Sequence, residues 1–182
     1  VNGASTVQTI TLSDSETQEC TGGAAVSISA GQAVAIEVIP SGTPTGQQPK
    51  YSYVFNSTTS SESAFAMAGS STNLLATNNI RYSHFYAHQE STTADNDRFT
   101  APTSGTLKNM YCRIGADPDN GAGGDSYIFT LRENVANAAI TCTVADGATT
   151  CSDTSNTVAV VAGDTYSWTY VSSGTPTATG RP

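Results

Sequence analysis

The sequence predicts an all-β protein, most simply an antiparallel β-sandwich of the jelly-roll type. Helical periodicity is nearly absent, whereas short runs of alternating apolar and polar residues recur along the whole chain. Glycine, aspartate, asparagine and proline separate these runs at the spacing typical of two packed antiparallel sheets. An immunoglobulin-like sandwich is the alternative, and it is less favoured because Trp168 does not lie between two cysteines.

Alternation within each run predicts the individual strands. In segment 126–132, Tyr127, Phe129 and Leu131 are expected to share one buried face, because side chains alternate across a strand. Segment 132–139 contains two asparagines and is predicted to form a turn. The clearest strands in the larger, second part of the chain are 51–56, 80–88, 107–115, 126–132, 139–145, 157–161 and 165–171.

The chain repeats itself with an offset of 132 residues. The string Ser-Gly-Thr-Pro-Thr occurs at 41–45 and again at 173–177, and the residues before each copy match as well. A unit of that length fits once, as a complete jelly-roll in 50–182, and leaves 1–49 as the second half of another unit. Strands in such a half-unit have faces to bury, so we expect them to extend the following unit or to exchange strands with another subunit.

Composition excludes some classes of partner. Charged residues make up 12% of the chain and the net charge is -8, so serine, threonine, asparagine and glutamine must solubilise most of the surface. The 7 lysines and arginines form no cluster, which argues against a nucleic-acid partner. No apolar run approaches the roughly 18 to 20 residues of a membrane span, and the start of the chain lacks the features of a signal peptide.

Four cysteines among few lysines fit an oxidising compartment. Cys142 and Cys151 flank an Asp-Gly turn, so a hairpin is predicted to bring them together as a disulfide. Cys20 has no local counterpart in the half-unit, which makes Cys112 its natural partner. A bond between Cys20 and Cys112 would join the half-unit to the complete unit or to a neighbouring subunit, and two buried free thiols are the alternative.

Several runs together resemble a β-sandwich module of tailed-phage virion-surface and fibre proteins and of environmental surface proteins. They are APTSGTL at 101–107, YIFTLR at 127–132, TCT at 141–143, TCSD at 150–153 and AGD at 162–164. The resemblance implies a jelly-roll on the outside of a virion or cell, and none of its motifs is catalytic. Cys112 and the acidic loop 117–125 depart from the module's pattern.

Metal chemistry is weakly indicated. The loop from Asp117 to Asp125 offers oxygen ligands that could suit calcium, but its glycine falls one place early for an EF-hand and no glutamate closes it. An exposed acidic turn is therefore the default, and no cofactor is expected. His84 and His88 lie four apart on a predicted strand, which separates them by about 13 Å, too far to share one ion.

Enzymatic activity is not expected. The chain has no Gly-x-Ser-x-Gly elbow and no histidine with an evident orienting acid, and carboxylates such as Glu37, Glu62 and Glu90 cannot be paired from sequence. Asn56 begins the only Asn-x-Ser/Thr sequon, so it is a candidate glycosylation site.

Two functions of different kinds rank ahead of a secreted hydrolase, which is the third hypothesis from the sequence. The first is a non-enzymatic structural subunit of an extracellular or virion-surface fibre, filament or capsid decoration layer, whose partner is mainly itself, with capsid or cell-surface proteins as further candidates. The second is a receptor- or carbohydrate-binding module, in which aromatic side chains stack on glycans. The candidate stacking residues are Tyr82, Phe85, Tyr86 and Trp168.

Overall fold

The chain forms two compact units, Val1–Val54 and Phe55–Pro182. The computed structural model describes residues 25–32, 39, 41–43, 56–63, 80–83, 90–91, 98–118, 121 and 123–176. Most of the predicted half-unit 1–49, residues 51–55 of the predicted strand 51–56, and both histidines lie outside these described residues. All the described strands belong to the larger unit, Phe55–Pro182.

All the regular structure among the described residues is β-strand, and every strand pairing is antiparallel. This confirms the predicted all-β class for that part of the chain. The strands are β1 (Ile80–Ser83), β2 (Glu90–Ser91), β3 (Phe99–Thr100), β4 (Gly105–Arg113), β5 (Ser126–Glu133), β6 (Ala136–Ala145), β7 (Thr150–Val160) and β8 (Thr165–Ser173).

The described strands form two sheets. Sheet A has six strands in the order β2-β1-β8-β5-β6, with β3 also paired to β8. Sheet B is a two-stranded ribbon of β4 and β7. Alternation in β5 is as predicted, since Tyr127, Phe129 and Leu131 are buried while the intervening side chains are partly exposed.

Side chains from both sheets meet in the hydrophobic core. One cluster combines Tyr127 of β5 and Val144 of β6 with Ile114, which directly follows β4. A second cluster combines Leu131 of β5 and Tyr166 of β8 with Val158 of β7. Leu131 and Tyr127 are fully buried, and each lies in a cluster to which both parts of the fold contribute.

β5 and β6 are joined by a two-residue turn. Glu133 pairs with Ala136, and the intervening Asn134 and Val135 have positive φ angles of 44° and 69°. The predicted turn is therefore present but shorter than 132–139, because the strands continue up to it. Positive φ at both positions is the geometry that Asn-Gly favours in such hairpins, and valine is a poor choice at the second position because its branched Cβ crowds the backbone.

Replacing Val135 with glycine is expected to raise the free energy of unfolding by about 0.5 to 1 kcal/mol. The left-handed conformation costs an L residue about 1 to 2 kcal/mol, and the greater freedom of glycine in the unfolded chain offsets part of the gain. Urea unfolding followed by circular dichroism measures the change. Val161→Gly is the matched control, because Val161 is also exposed but lacks a positive φ; equal stability of the two variants would contradict the prediction.

Corresponding positions of the sequence repeat have the same local backbone geometry. Gly31 and Gly163, one period apart, have φ angles of 80° and 96°. In both places the amide of the following residue donates to a carbonyl three residues earlier, Gln32 to Ser29 and Asp164 to Val161. Gly42 and Gly174, in the two Ser-Gly-Thr strings, have φ angles of 72° and 76°. The repeat in sequence is thus also a repeat of turn geometry; a half β-sandwich over 1–49 stays a prediction.

Candidate functional site

The Cys142–Cys151 disulfide links the two sheets. Cys142 lies on β6 in sheet A and Cys151 on β7 in sheet B, with their Cα atoms 5.7 Å apart. The nine-residue spacing predicted this pair, but the expected hairpin is wrong: β6 pairs with β5, and β7 pairs with β4. The intervening Asp-Gly turn therefore passes from one sheet to the other, and the disulfide ties together elements that share no backbone ladder.

Cys112 lies beside this disulfide. It is directly opposite Cys151 in the β4–β7 ladder, and its thiol is free. Both side chains pack against the first core cluster. Burial raises the pKa of Cys112 to about 12, and a hydrogen bond from the Arg113 amide opposes this only in part. Cys20 lies outside the described residues, so its predicted pairing with Cys112 stays a prediction.

Asp153 forms a second link between β7 and β6, and sequence reasoning missed it. One carboxylate oxygen accepts the Thr141 amide of β6 at 3.0 Å and the Asn156 side-chain amide at 2.9 Å. The other accepts the amides of Ser155 and Asn156 at 3.1 and 3.0 Å. Only the Asp-x-Ser order in the sequence signals this arrangement, because aspartate often accepts the amide two residues later.

The same hydrogen bonds favour the ionised form of Asp153. Its pKa lies well below the ordinary value, first because of the Asn156 backbone amide, then the Asn156 side chain and the Thr141 amide. A lowered folded-state pKa gives stability that is present above the unfolded value, about 4, and is lost as the pH falls below it. The link between β6 and β7 should therefore weaken in acid.

Replacing Asp153 with asparagine is expected to lower the melting temperature at pH 7 by several degrees and to flatten its acid dependence. The amide cannot accept four hydrogen bonds, and it presents an N–H₂ group to amide donors. Thermal unfolding followed by circular dichroism between about pH 7 and pH 3 measures both effects. Melting curves that fall in parallel below about pH 4 for both proteins would contradict the assignment to Asp153.

The acidic loop after β4 supplies hydrogen-bond acceptors for neighbouring turns. Asp117 accepts the Gly147 amide at 3.0 Å, and Asp125 accepts the Thr175 amide at 2.8 Å. In the opposite direction, the Gly124 amide of the loop donates to Asp146, which follows β6, at 3.4 Å. Among the described residues, no group of three or more histidine, cysteine, aspartate or glutamate side chains could hold a metal ion. These carboxylates therefore have a structural use here, and calcium remains only an expectation for the loop.

The candidate glycan-related residues differ in their surroundings. Asn56 is exposed, as is the following run 58–61, so its side chain is accessible for modification; glycosylation itself stays a prediction. Trp168 packs against the second core cluster and is partly exposed. The ring of Tyr82 is covered by the guanidinium of Arg132, 5.1 Å from its centroid. Phe85 and Tyr86 lie outside the described residues.

Of the carboxylates considered for hydrolysis, the structure describes only the side chain of Glu62. Glu62 forms an ion pair with Lys108. Glu37 and the side chain of Glu90 lie outside what the structure describes. A pocket of about 370 Å³ beside β4 is lined by apolar, serine and threonine side chains, with Tyr166 as its one phenol. The Tyr166 hydroxyl donates a hydrogen bond to Glu133 at 2.8 Å, and this bond links β8 to β5.

Comparisons with known proteins give no relative. No family model matches the chain, and no similar curated protein or solved structure was found. In the described part of the chain, no helix is long and apolar enough to cross a membrane. The class of protein is therefore defined by its fold and its cysteines: an all-β protein with a disulfide between two antiparallel sheets.

Proposed function

We propose that this protein is a non-enzymatic structural subunit of an extracellular or virion-surface assembly, such as a fibre, a filament or a capsid decoration layer. The observation that supports this most is the Cys142–Cys151 disulfide between the sheets. Disulfides persist in secreted proteins and at cell and virion surfaces, and a covalent bond between sheets suits a protein exposed to harsh surroundings.

The proposed architecture is a jelly-roll sandwich in which sheet B belongs to the second layer. Its support is the shared core, where Val158 of β7 packs with Leu131 of β5. The exposed side chains of β6 and β7 are mainly threonine, serine, asparagine and alanine. Such strands present hydroxyl and amide groups to solvent with few charges, as the composition led us to expect.

Assembly is proposed to use the outer edge of β4. Among the described strands, β4 pairs only with β7, so its other edge can accept a strand from another copy. The edge of β6 is less open, because Asp153 already binds the Thr141 amide. β4 also exposes Tyr111, with 48% of its surface accessible, as an apolar contact for an added strand. A bulge between Lys108 and Met110 divides the β4–β7 ladder into two short stretches.

Size-exclusion chromatography and negative-stain microscopy of the purified chain test the proposal. Polymers, rings or sheets are expected, whereas a monodisperse monomer that binds glycans would favour the carbohydrate-binding alternative. Tyr111→Lys places a charge on the β4 edge and is expected to abolish assembly. Thr143→Lys adds the same charge on exposed β6 and is the control; assembly lost only in that variant would move the contact to sheet A.

A further inference from the structure

Three cysteines meet at the junction of the two sheets. Cys142 of β6 is bonded to Cys151 of β7, and Cys112 of β4 faces Cys151 across the ladder. Residues directly opposite in an antiparallel pair project to the same side of the sheet. Cys112 and Cys151 both pack on the first core cluster, so this shared side is the interior. The bonded Cys151 sulfur thus has a free thiol as its cross-strand neighbour.

The backbone at this junction suits either of two disulfides. Directly opposite residues in antiparallel strands have Cα atoms about 4.5 or 5.5 Å apart, and disulfides form at Cα separations of about 4.4 to 6.8 Å. The existing bond spans 5.7 Å. A bond between Cys112 and Cys151 therefore requires a change of side-chain rotamers and little movement of β4 or β7.

We propose that Cys112 is an exchange thiol that can take Cys151 from Cys142 and so move the covalent link from between the sheets to within sheet B. In this step the Cys112 thiolate forms a bond to the Cys151 sulfur while the Cys142–Cys151 bond breaks. The electron pair of the broken bond leaves on Cys142, which takes up the proton that Cys112 released. No oxidant or reductant is consumed.

The consequence of exchange is mechanical. In the present state the disulfide joins β6 to β7. In the alternative state these strands keep the turn 146–149, the hydrogen bond from Thr141 to Asp153 and the packing of Ile140 with Val158, but no disulfide. Because the thiolate is the nucleophile, the raised pKa of Cys112 keeps exchange slow while the core is closed. Separation of β4 from the core would expose Cys112 to solvent and allow the disulfide exchange. This inference does not depend on the proposed assembly.

A trapping variant tests the geometry. In Cys142→Ser, combined with Cys20→Ser to remove the fourth thiol, glutathione disulfide is expected to produce a Cys112–Cys151 bond in most molecules. Non-reducing peptide mapping by mass spectrometry detects the linked peptides. The control carries Cys112→Ser as well, and its Cys151 can form only a mixed disulfide with glutathione. Folded Cys142→Ser protein that keeps Cys112 and Cys151 unlinked would overturn the proposal.

Exchange in the intact disulfide is tested without altering Cys142. Cys20→Ser protein is held in mild denaturant at about pH 8.5, where thiols ionise more readily, then quenched in acid, unfolded and labelled with N-ethylmaleimide. We expect label on Cys112 at the start and an increasing amount on Cys142 with time. The final amount of label on Cys142 should be at least ten-fold higher than in a Cys112→Ser control. Label that stays on Cys112, or a wild-type chain in which Cys112 is already bonded to Cys20, would overturn the proposal.

Discussion

Replacing Gly174 with alanine is expected to lower the free energy of unfolding of the larger unit by about 3 kcal/mol. A Cβ atom at this position would lie 2.2 Å from Oδ1 of Asp125 and 3.3 Å from its Cα. The same Oδ1 accepts the Thr175 amide, and Asp125 is only 3% exposed, so the carboxylate has little room to move. The positive φ costs about 1 kcal/mol, and loss of a charged hydrogen bond costs about 1.5 to 3 kcal/mol.

Gly147→Ala is the matched control for this substitution. Gly147 has φ of 78°, close to the 76° of Gly174, but a Cβ there would meet no atom within 4 Å. Gly147→Ala should therefore lower the free energy of unfolding only by the cost of a positive φ for alanine, about 1 kcal/mol. Urea unfolding followed by the fluorescence of Trp168, the single tryptophan, reports on the larger unit for both variants. Equal losses in the two variants would contradict the close packing of Gly174 on Asp125.

Strands with apolar alternation could be predicted from the sequence, and strands held by polar contacts could not. β5 was found because Tyr127, Phe129 and Leu131 recur at every second position. In β7 the prediction began only at Thr157, whereas the strand begins at Thr150. The missed residues are almost all polar, and their position is fixed by Cys151 and by the hydrogen bonds of Asp153, which a periodicity argument does not detect.

Of the three cysteines at this site, only the two that are close in sequence could be predicted to pair. Cys142 and Cys151 are near in sequence, so their spacing sufficed to indicate a bond, although not that the bond would join different sheets. The position of Cys112 depends on the register of β4 against β7, which is set by long-range pairing and by the bulge after Lys108. The apolar pattern of one strand shows which face is buried, but it does not identify the partner strand or the position of a bulge.

Removing the disulfide with the double substitution Cys142→Ala and Cys151→Ala is expected to cost about 2.5 kcal/mol of unfolding free energy. The bond closes a short loop, and its chain-entropy contribution for a separation of nine residues is about that size. Urea unfolding measured by Trp168 fluorescence gives the difference. Cys112→Ala is the control; it should lose about 1 kcal/mol or less, because its side chain is only partly buried and forms no bond.

The single substitution Cys142→Ala separates the loss of this particular bond from the loss of any bond at the site. With Cys20→Ser also present in both variants to remove the fourth thiol, it leaves Cys151 opposite Cys112. If those two sulfurs join under oxidising conditions, the new loop is longer than the original one. Its chain-entropy contribution to the free energy of unfolding is about 4 kcal/mol, which is more than the contribution of the lost bond. The oxidised single variant should then be more stable than the double variant and should lose that advantage on reduction. A single variant as unstable as the double one under oxidising conditions would show that Cys112 cannot reach Cys151, and that stability depends on the bond between the sheets alone.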